Sequence, residues 1–423
     1  MPIISRIELY HVAIPLPARF YPSWIPGFPQ TENRFTLIRV LTESGLEGFS
    51  AGPALGRERA GLGDLIGPYL VGEDATDIDL IQQRIREMAY LGWRNAWIEP
   101  AFWDIRGKFA GKPVCELLGG APCTVRLYAS TGEIKRPEEC VDEAENRFEE
   151  GFRTIKLRVH DFDEINDIRQ VREVAKAIGQ RMHIAVDANQ GWRVTTVKNA
   201  PLWDLDRAKR FADRCADFGV IWLEEPLPMD AYEELSKLTA YSRVPIAGGE
   251  LHTGGLPELK MMIEQRCYRI FQPDAVFTGG IAQTHEIIRL CREQGPGYTP
   301  HTWTNGIGLA INLHLMAASA YATEKPVEYP YSPPGWTVEA RDGILENPFY
   351  HDKGTLRVPD APGLGVTIDP KALRKYGRRF SVMDRKRLFF HAIRTRGLKT
   401  SMEINRAKRE SRMRQQVTSK KEV

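Results

Sequence analysis

Apolar and polar positions alternate over residues 3–15 and again over residues 35–42, the period of two that marks strands with one buried face. The two runs are predicted to pair antiparallel across residues 19–33, a loop rich in proline and aromatics. Loops of that length inside a compact domain tend to be functional. Helical periodicity follows over residues 77–87 and 96–110, and Leu118-Gly119-Gly120 closes this first unit. From there, short apolar runs alternate with helical stretches. Strands are predicted at 125–129, 154–159, 183–188, 220–224, 245–249, 268–273, 298–301 and 326–329, with returning helices such as 138–150, 164–178 and 283–293. Such a cadence predicts an α/β fold whose parallel strands close into a barrel. Residues 306–321 are apolar on most faces and read as a buried helix of the barrel wall. Residues 331–368, rich in proline and glycine, are predicted to return to the first unit.

Seven polar residues stand at the ends of these apolar runs: Arg158, Asp187, Glu224, Glu250, Asp274, His301 and Glu328, separated by 29, 37, 26, 24, 27 and 27 residues. One strand, one helix and two loops fill an interval of that size, so each strand offers one residue at its C-terminal end, where barrel enzymes carry their chemistry.

Composition bounds the reading. A chain of 423 residues, 42% apolar and 27% charged, suits two soluble domains. Its net charge of +3 hides an asymmetry: residues 381–423 hold 13 Lys and Arg against 4 Asp and Glu, a local +9 that leaves −6 for the rest. That tail reads as a charged surface helix or a disordered segment. Six cysteines without a C-x-x-C pair fit reduced thiols rather than a zinc site or a disulfide frame. The first sixteen residues lack a signal-peptide pattern and no apolar stretch approaches membrane-spanning length, so a cytoplasmic protein is expected. Expected partners are a small-molecule carboxylate and further copies of the chain, with neither membrane nor nucleic acid among them.

Asp187, Glu224 and Glu250 end three consecutive strands. Three carboxylates converging above a barrel mouth repel one another unless a cation sits among them, and an oxygen-only donor set favours Mg²⁺. Any one of them alone would read as a helix cap. His301 and Asp274 end adjacent strands, so the carboxylate can fix the imidazole tautomer and raise its basicity. Lys156 and Arg158 lie two apart on one strand and face the same way; they offset the carboxylates or stabilise negative charge on a substrate. Tyr21, Trp24, Arg57 and Arg59 from the first unit, with Asn189 and Trp303 at the mouth, are the candidate substrate readers.

The stretches Phe152-Arg-Thr-Ile-Lys-Leu-Arg, Val186-Asp-Ala-Asn-Gln-Gly-Trp, Trp222-Leu-Glu-Glu-Pro, Ala247-Gly-Gly-Glu, Gln272-Pro-Asp-Ala and Gly279-Gly-Ile resemble the enolase superfamily, specifically its mandelate racemase branch, over about residues 1–380. The resemblance implies an α+β capping domain (1–124), a modified (β/α)₇β barrel (125–330), a segment returning to the cap (331–380) and a basic tail (381–423). It further implies Asp187, Glu224 and Glu250 as ligands of one Mg²⁺, His301 and Asp274 as a catalytic dyad, and Glu328 as an acid that hydrogen-bonds the substrate carboxylate. One departure stands out: the racemase pattern has a second lysine where this chain has Arg158, and a guanidinium stays protonated at neutral pH. Muconate-lactonising relatives carry a sixth-strand lysine, and residues 268–276 contain none. A one-base reaction follows: dehydration of an acid sugar to a 2-keto-3-deoxy acid, with His301 as base and Lys156, Arg158 and Glu328 assisting. The alternatives are a racemase or epimerase of a 2-hydroxy acid, and a non-catalytic binder whose tail contacts nucleic acid.

Overall fold

The computed structural model describes residues 1–54, 61–92 and 94–419, the last of these as backbone alone from residue 411. Two long strands, β1 (Ile4–Phe20) and β2 (Gln30–Thr42), pair antiparallel with Tyr10 opposite Leu37 and Val12 opposite Phe35. The connecting loop is shorter than the sequence predicts, because pairing persists to Phe20 opposite Gln30. A third strand, β3 (Glu47–Pro53), escaped the alternation pattern. It lies so close under the cap helices that a Cβ on Gly48 would meet the Ala101 carbonyl at 2.0 Å and one on Gly52 the Trp97 ring at 2.4 Å. Close backbone approach therefore replaces the side chains that would have announced a strand.

The barrel strands are β4 (Thr124–Ser130), β5 (Thr154–Arg158), β6 (His183–Asp187), β7 (Leu223–Glu224), β8 (Ile246–Gly248), β9 (Ile270–Phe271), β10 (Gly297–Tyr298) and β11 (Val327–Pro330). All are parallel, in the order β10-β9-β8-β7-β6-β5-β4-β11. Among the described residues no backbone ladder joins β10 to β11. Side chains bridge that seam: Thr299 Oγ1 donates to the Pro326 carbonyl at 2.7 Å and Thr302 Oγ1 to that of Glu328 at 2.8 Å. The helix Gly306–Ala317, buried at every position, fills the crossing.

Past the barrel the chain returns to the cap. Gly363 and Lys112 share a backbone bond of 3.0 Å, and the Leu364 N–H donates to Asp104 at 2.9 Å. β12 (Thr355–Arg357) pairs with β4, and β13 (Gly377–Asp384) joins the outer edge of β1, completing a four-stranded cap sheet. The tail boundary expected at residue 381 thus falls inside a strand. Val382 and Met383 are buried there, and the adjacent Arg378 and Arg379 had masked the strand. Residues Arg385–Arg396 and Leu398–Ser419 are helical. No described helix is long and apolar enough to cross a membrane.

His314 sits fully buried on the wall helix, and its Nδ1 accepts the Cys115 N–H at 3.2 Å. A proton on Nδ1 would face another N–H, and burial pushes the pKa down to about 4 from the ordinary 6.5. The unfolded chain therefore takes up this proton before the folded one does, and stability falls as pH drops from 6.5 towards 4. The expected contribution is about 3 kcal/mol. His314→Gln keeps an acceptor for Cys115 without the titration. Urea unfolding across that pH range should show a flatter profile for the variant than for the wild type.

Candidate active site

Strand register sets the site. Arg158 lies opposite Asp187, and Asp187 opposite Glu224, so three charged side chains share one layer at the C-terminal end of the barrel. Lys156, one layer deeper and wholly enclosed, places Nζ 2.5 Å from Glu224 Oε1, 2.9 Å from Glu328 Oε1 and 3.6 Å from Asp187 Oδ2. Burial alone would drive this ammonium towards neutrality; Glu224 and Glu328 override it and hold the pKa well above its ordinary value. Burial likewise works against ionisation of Glu328, but Lys156 and His301 keep its pKa well below the usual carboxylate range.

Arg158 donates Nε to the Thr131 carbonyl at 2.7 Å, Nη1 to Asp187 Oδ2 and Nη2 to Ser130 Oγ at 3.2 Å. Three of five N–H groups are thereby engaged, leaving one on each terminal nitrogen. Burial lowers the guanidinium pKa, but Asp187 and Glu224 outweigh that and raise it.

His301 Nδ1 donates to Asp274 Oδ2 at 3.0 Å. Asp274 is itself fixed: its Oδ1 accepts from Asn312 Nδ2 and from the Val276 N–H, both at 2.9 Å. The free ring nitrogen, Nε2, faces Glu250 Oε2 at 3.4 Å and Glu328 Oε2 at 4.0 Å. Burial lowers the imidazole pKa, but Glu250, Glu328 and Asp274 together push it up to about 10.

A cavity of 480 Å³ opens above this layer. Arg158, Asn189, Glu250, His301, Trp24 and Trp303 reach its wall, as expected of them, whereas Lys156, Asp187, Glu224, Asp274 and Glu328 stand behind it. Behind the wall, Lys156 and Glu328 bond one another and Glu224, Ser130 and Thr302. One expectation needs correction. Tyr21 is exposed and off the wall: β1 ends at Phe20, whose ring turns inward against Trp303 and Trp336, so the next side chain points out. Arg57 and Arg59 lie outside the described residues.

Sequence reasoning missed Arg34, Trp192, Phe277 and Trp336 on the wall, and Asn312 behind it. Asn312 had a legible signal, being an amide in an otherwise apolar helix. Trp192 Nε1 donates to Glu250 at 2.8 Å, a contact between separate loops that no spacing reveals.

Asp187, Glu224 and Glu250 converge less fully than expected. Among the described residues no three metal-ligating side chains form a finished shell, since Lys156 and Arg158 occupy oxygens of Asp187 and Glu224. The charge balance still calls for a cation. Asp187, Glu224, Glu225, Glu250, Asp274 and Glu328 are all buried, and among the described residues Lys156, Arg158 and His301 are the cationic groups paired with them. Glu225 Oε2 has no hydrogen-bond partner, and burial with Glu250 nearby pushes its pKa well up. A hard dication suits such a donor set, and compensation at Glu250 would let His301 release its proton nearer neutrality.

The parallel barrel, its cap and this carboxylate-rich rim define an enzyme of the proton-abstracting barrel class. Residues 7–119 match the mandelate racemase / muconate lactonizing enzyme N-terminal domain and residues 139–372 the enolase C-terminal domain-like family. The chain belongs to the mandelate racemase / muconate lactonizing enzyme family of the enolase superfamily. It is 30% identical to L-talarate/galactarate dehydratase of Salmonella typhimurium, over 82% of this chain and 83% of the relative. It is 29% identical to D-galactarolactone cycloisomerase of Agrobacterium fabrum, over 80% and 90%. Among solved structures, L-talarate dehydratase from Polaromonas sp. JS666, complexed with Mg and L-glucarate, superposes with a TM-score of 0.75 at 25% identity, covering 91% of this chain and 99% of that one.

Binding of Mg²⁺ to the folded state alone should raise stability by about 2.7 kcal/mol at a hundredfold excess over Kd. Thermal unfolding with Mg²⁺ and with a chelator should show that upward shift in the wild type. Glu250→Gln should abolish it.

Proposed function

We propose that the protein is a Mg²⁺-dependent dehydratase of acid sugars, converting a 2,3-dihydroxycarboxylate to the 2-keto-3-deoxy acid. The observation that carries this reading is the asymmetry of the cavity wall. One side presents His301, braced by Asp274; the other presents Arg158, fully ionised, with Lys156 shut behind it. A racemase needs a base on each face, and among the described residues His301 is the one we assign as a base. Dehydratase relatives acting on galactarate, arabinonate and galactonate support the same reaction class.

When bound, Mg²⁺ supplies Lewis-acid stabilisation of the substrate carboxylate as negative charge develops on it. His301 Nε2 takes the proton from C2, with Asp274 holding Nδ1–H and so stabilising the imidazolium. Arg158 directs its two remaining N–H groups at the cavity, where they meet charge accumulating on the carboxylate oxygens. The C3–O bond then breaks, and the imidazolium returns its proton to the departing hydroxyl, which leaves as water. The resulting enol tautomerises to the ketone. Trp192 and Asp274 keep Glu250 and His301 oriented throughout.

The same reading takes the enzyme to be cytoplasmic, with free cysteines, and a homo-oligomer. Screening acid sugars with Mg²⁺ for 2-keto product should return at least one substrate. ¹H NMR in D₂O should show exchange of the C2 proton from one face only. His301→Asn should lose turnover and exchange together while folding normally. Interconversion of substrate epimers by the wild type would replace the dehydratase with an epimerase.

A further inference from the structure

Trp24 and Trp303 meet edge to face, with centroids 5.0 Å apart at 72°. Into the corner they form comes Arg158, whose guanidinium carbon lies 5.4 Å from the Trp24 ring centroid and 5.3 Å from that of Trp303. Both distances are within cation–π range. Trp303 is further committed to Phe20, stacked at 5.9 Å, and to Trp336 at 5.5 Å. Little of its face remains for a sugar.

Trp24 belongs to the cap, yet the residue before it is fastened to the barrel three times. The Ser23 N–H donates to the Gly132 carbonyl at 2.9 Å, its Oγ to Asn189 Oδ1 at 2.5 Å, and its carbonyl accepts from His160 Nε2 at 2.7 Å. These partners follow β4, β6 and β5 respectively, so the loop is pinned across three strand ends. Arg158 is meanwhile held by bonds to Thr131, Asp187 and Ser130 that fix its edges. Those bonds hold all three nitrogens, and the two indoles pack against the group so held.

We propose that Trp24, fastened through Ser23 and backed by Trp303, is a positioning residue that aims the two open N–H groups of Arg158 at the reacting carboxylate. The cap loop thereby governs the rate of chemistry rather than the affinity for substrate. The inference rests on the role given to Arg158 in the dehydratase reading, and its first test requires no substrate.

In protein labelled with [¹⁵N]arginine, the Arg158 Nε–H resonance, identified by its loss in Arg158→Lys, should be displaced by ring currents. Trp24→Phe should largely retain that displacement and Trp24→Leu should reduce it, leaving the part that Trp303 contributes. With an acid sugar that turns over, Trp24→Leu should lower kcat by roughly ten- to a hundredfold, with KM within about threefold of wild type. Trp24→Phe should recover most of the loss. Ser23→Ala, which keeps the indole but releases its fastening, should move kcat in the same direction by less. A Trp24→Leu enzyme with raised KM and unchanged kcat would make Trp24 a substrate reader and overturn the proposal, as would an unmoved Arg158 resonance. Should no acid sugar turn over, the dehydratase reading fails, while an Arg158 resonance unmoved in Trp24→Leu would overturn the positioning role on its own.

Discussion

Among the described residues, six buried carboxylates share the barrel mouth with Lys156, Arg158 and His301. Charges in a low-dielectric site persist only when paired and hydrogen-bonded, and that requirement organises everything around it. Lys156 stands at the centre because it alone reaches Glu224, Glu328 and Asp187 together. Arg158 remains charged for the same reason, and Glu250, Glu328 and Asp274 raise the pKa of His301 against the effect of burial. The surplus of negative charge is what makes a dication at home there.

The cap completes the site through polar contacts at depth. Glu99, on the cap, accepts the N–H groups of Ile281 and Ala282 at 2.7 and 3.1 Å, which begin the helix following Asp274. Asn33 Nδ2 donates to the Ala340 carbonyl at 3.0 Å, tying β2 to the returning segment. With Ser23 docked over β4, β5 and β6, the two domains are joined on opposite sides of the cavity. A substrate carboxylate would thus meet barrel chemistry while its distal carbons meet cap residues such as Arg34 and Phe28.

Family membership is carried by residues 7–372, and the basic helices lie beyond them. They pack on the cap rather than near the cavity: Arg385 pairs with Glu43, and Lys408 Nζ donates to the Pro68 carbonyl at 2.8 Å.

What the sequence determined by itself is whatever repeats at fixed intervals. Spacing of polar residues at strand ends named the barrel, its rim and seven charged or titratable groups, because one residue per βα unit is a local pattern. Hidden from it were β3, where glycines replace alternation under Trp97 and Ala101, and β13, where arginines obscure two buried apolar positions. Only the tertiary structure decided which rim residues meet the cavity. Lys156 and Arg158 are two residues apart and look equivalent along the strand, yet one is enclosed by three carboxylates and the other rests against two indoles at the cavity wall. That difference depends on side chains arriving from other strands and from the cap, and no interval in the chain encodes the distance between them.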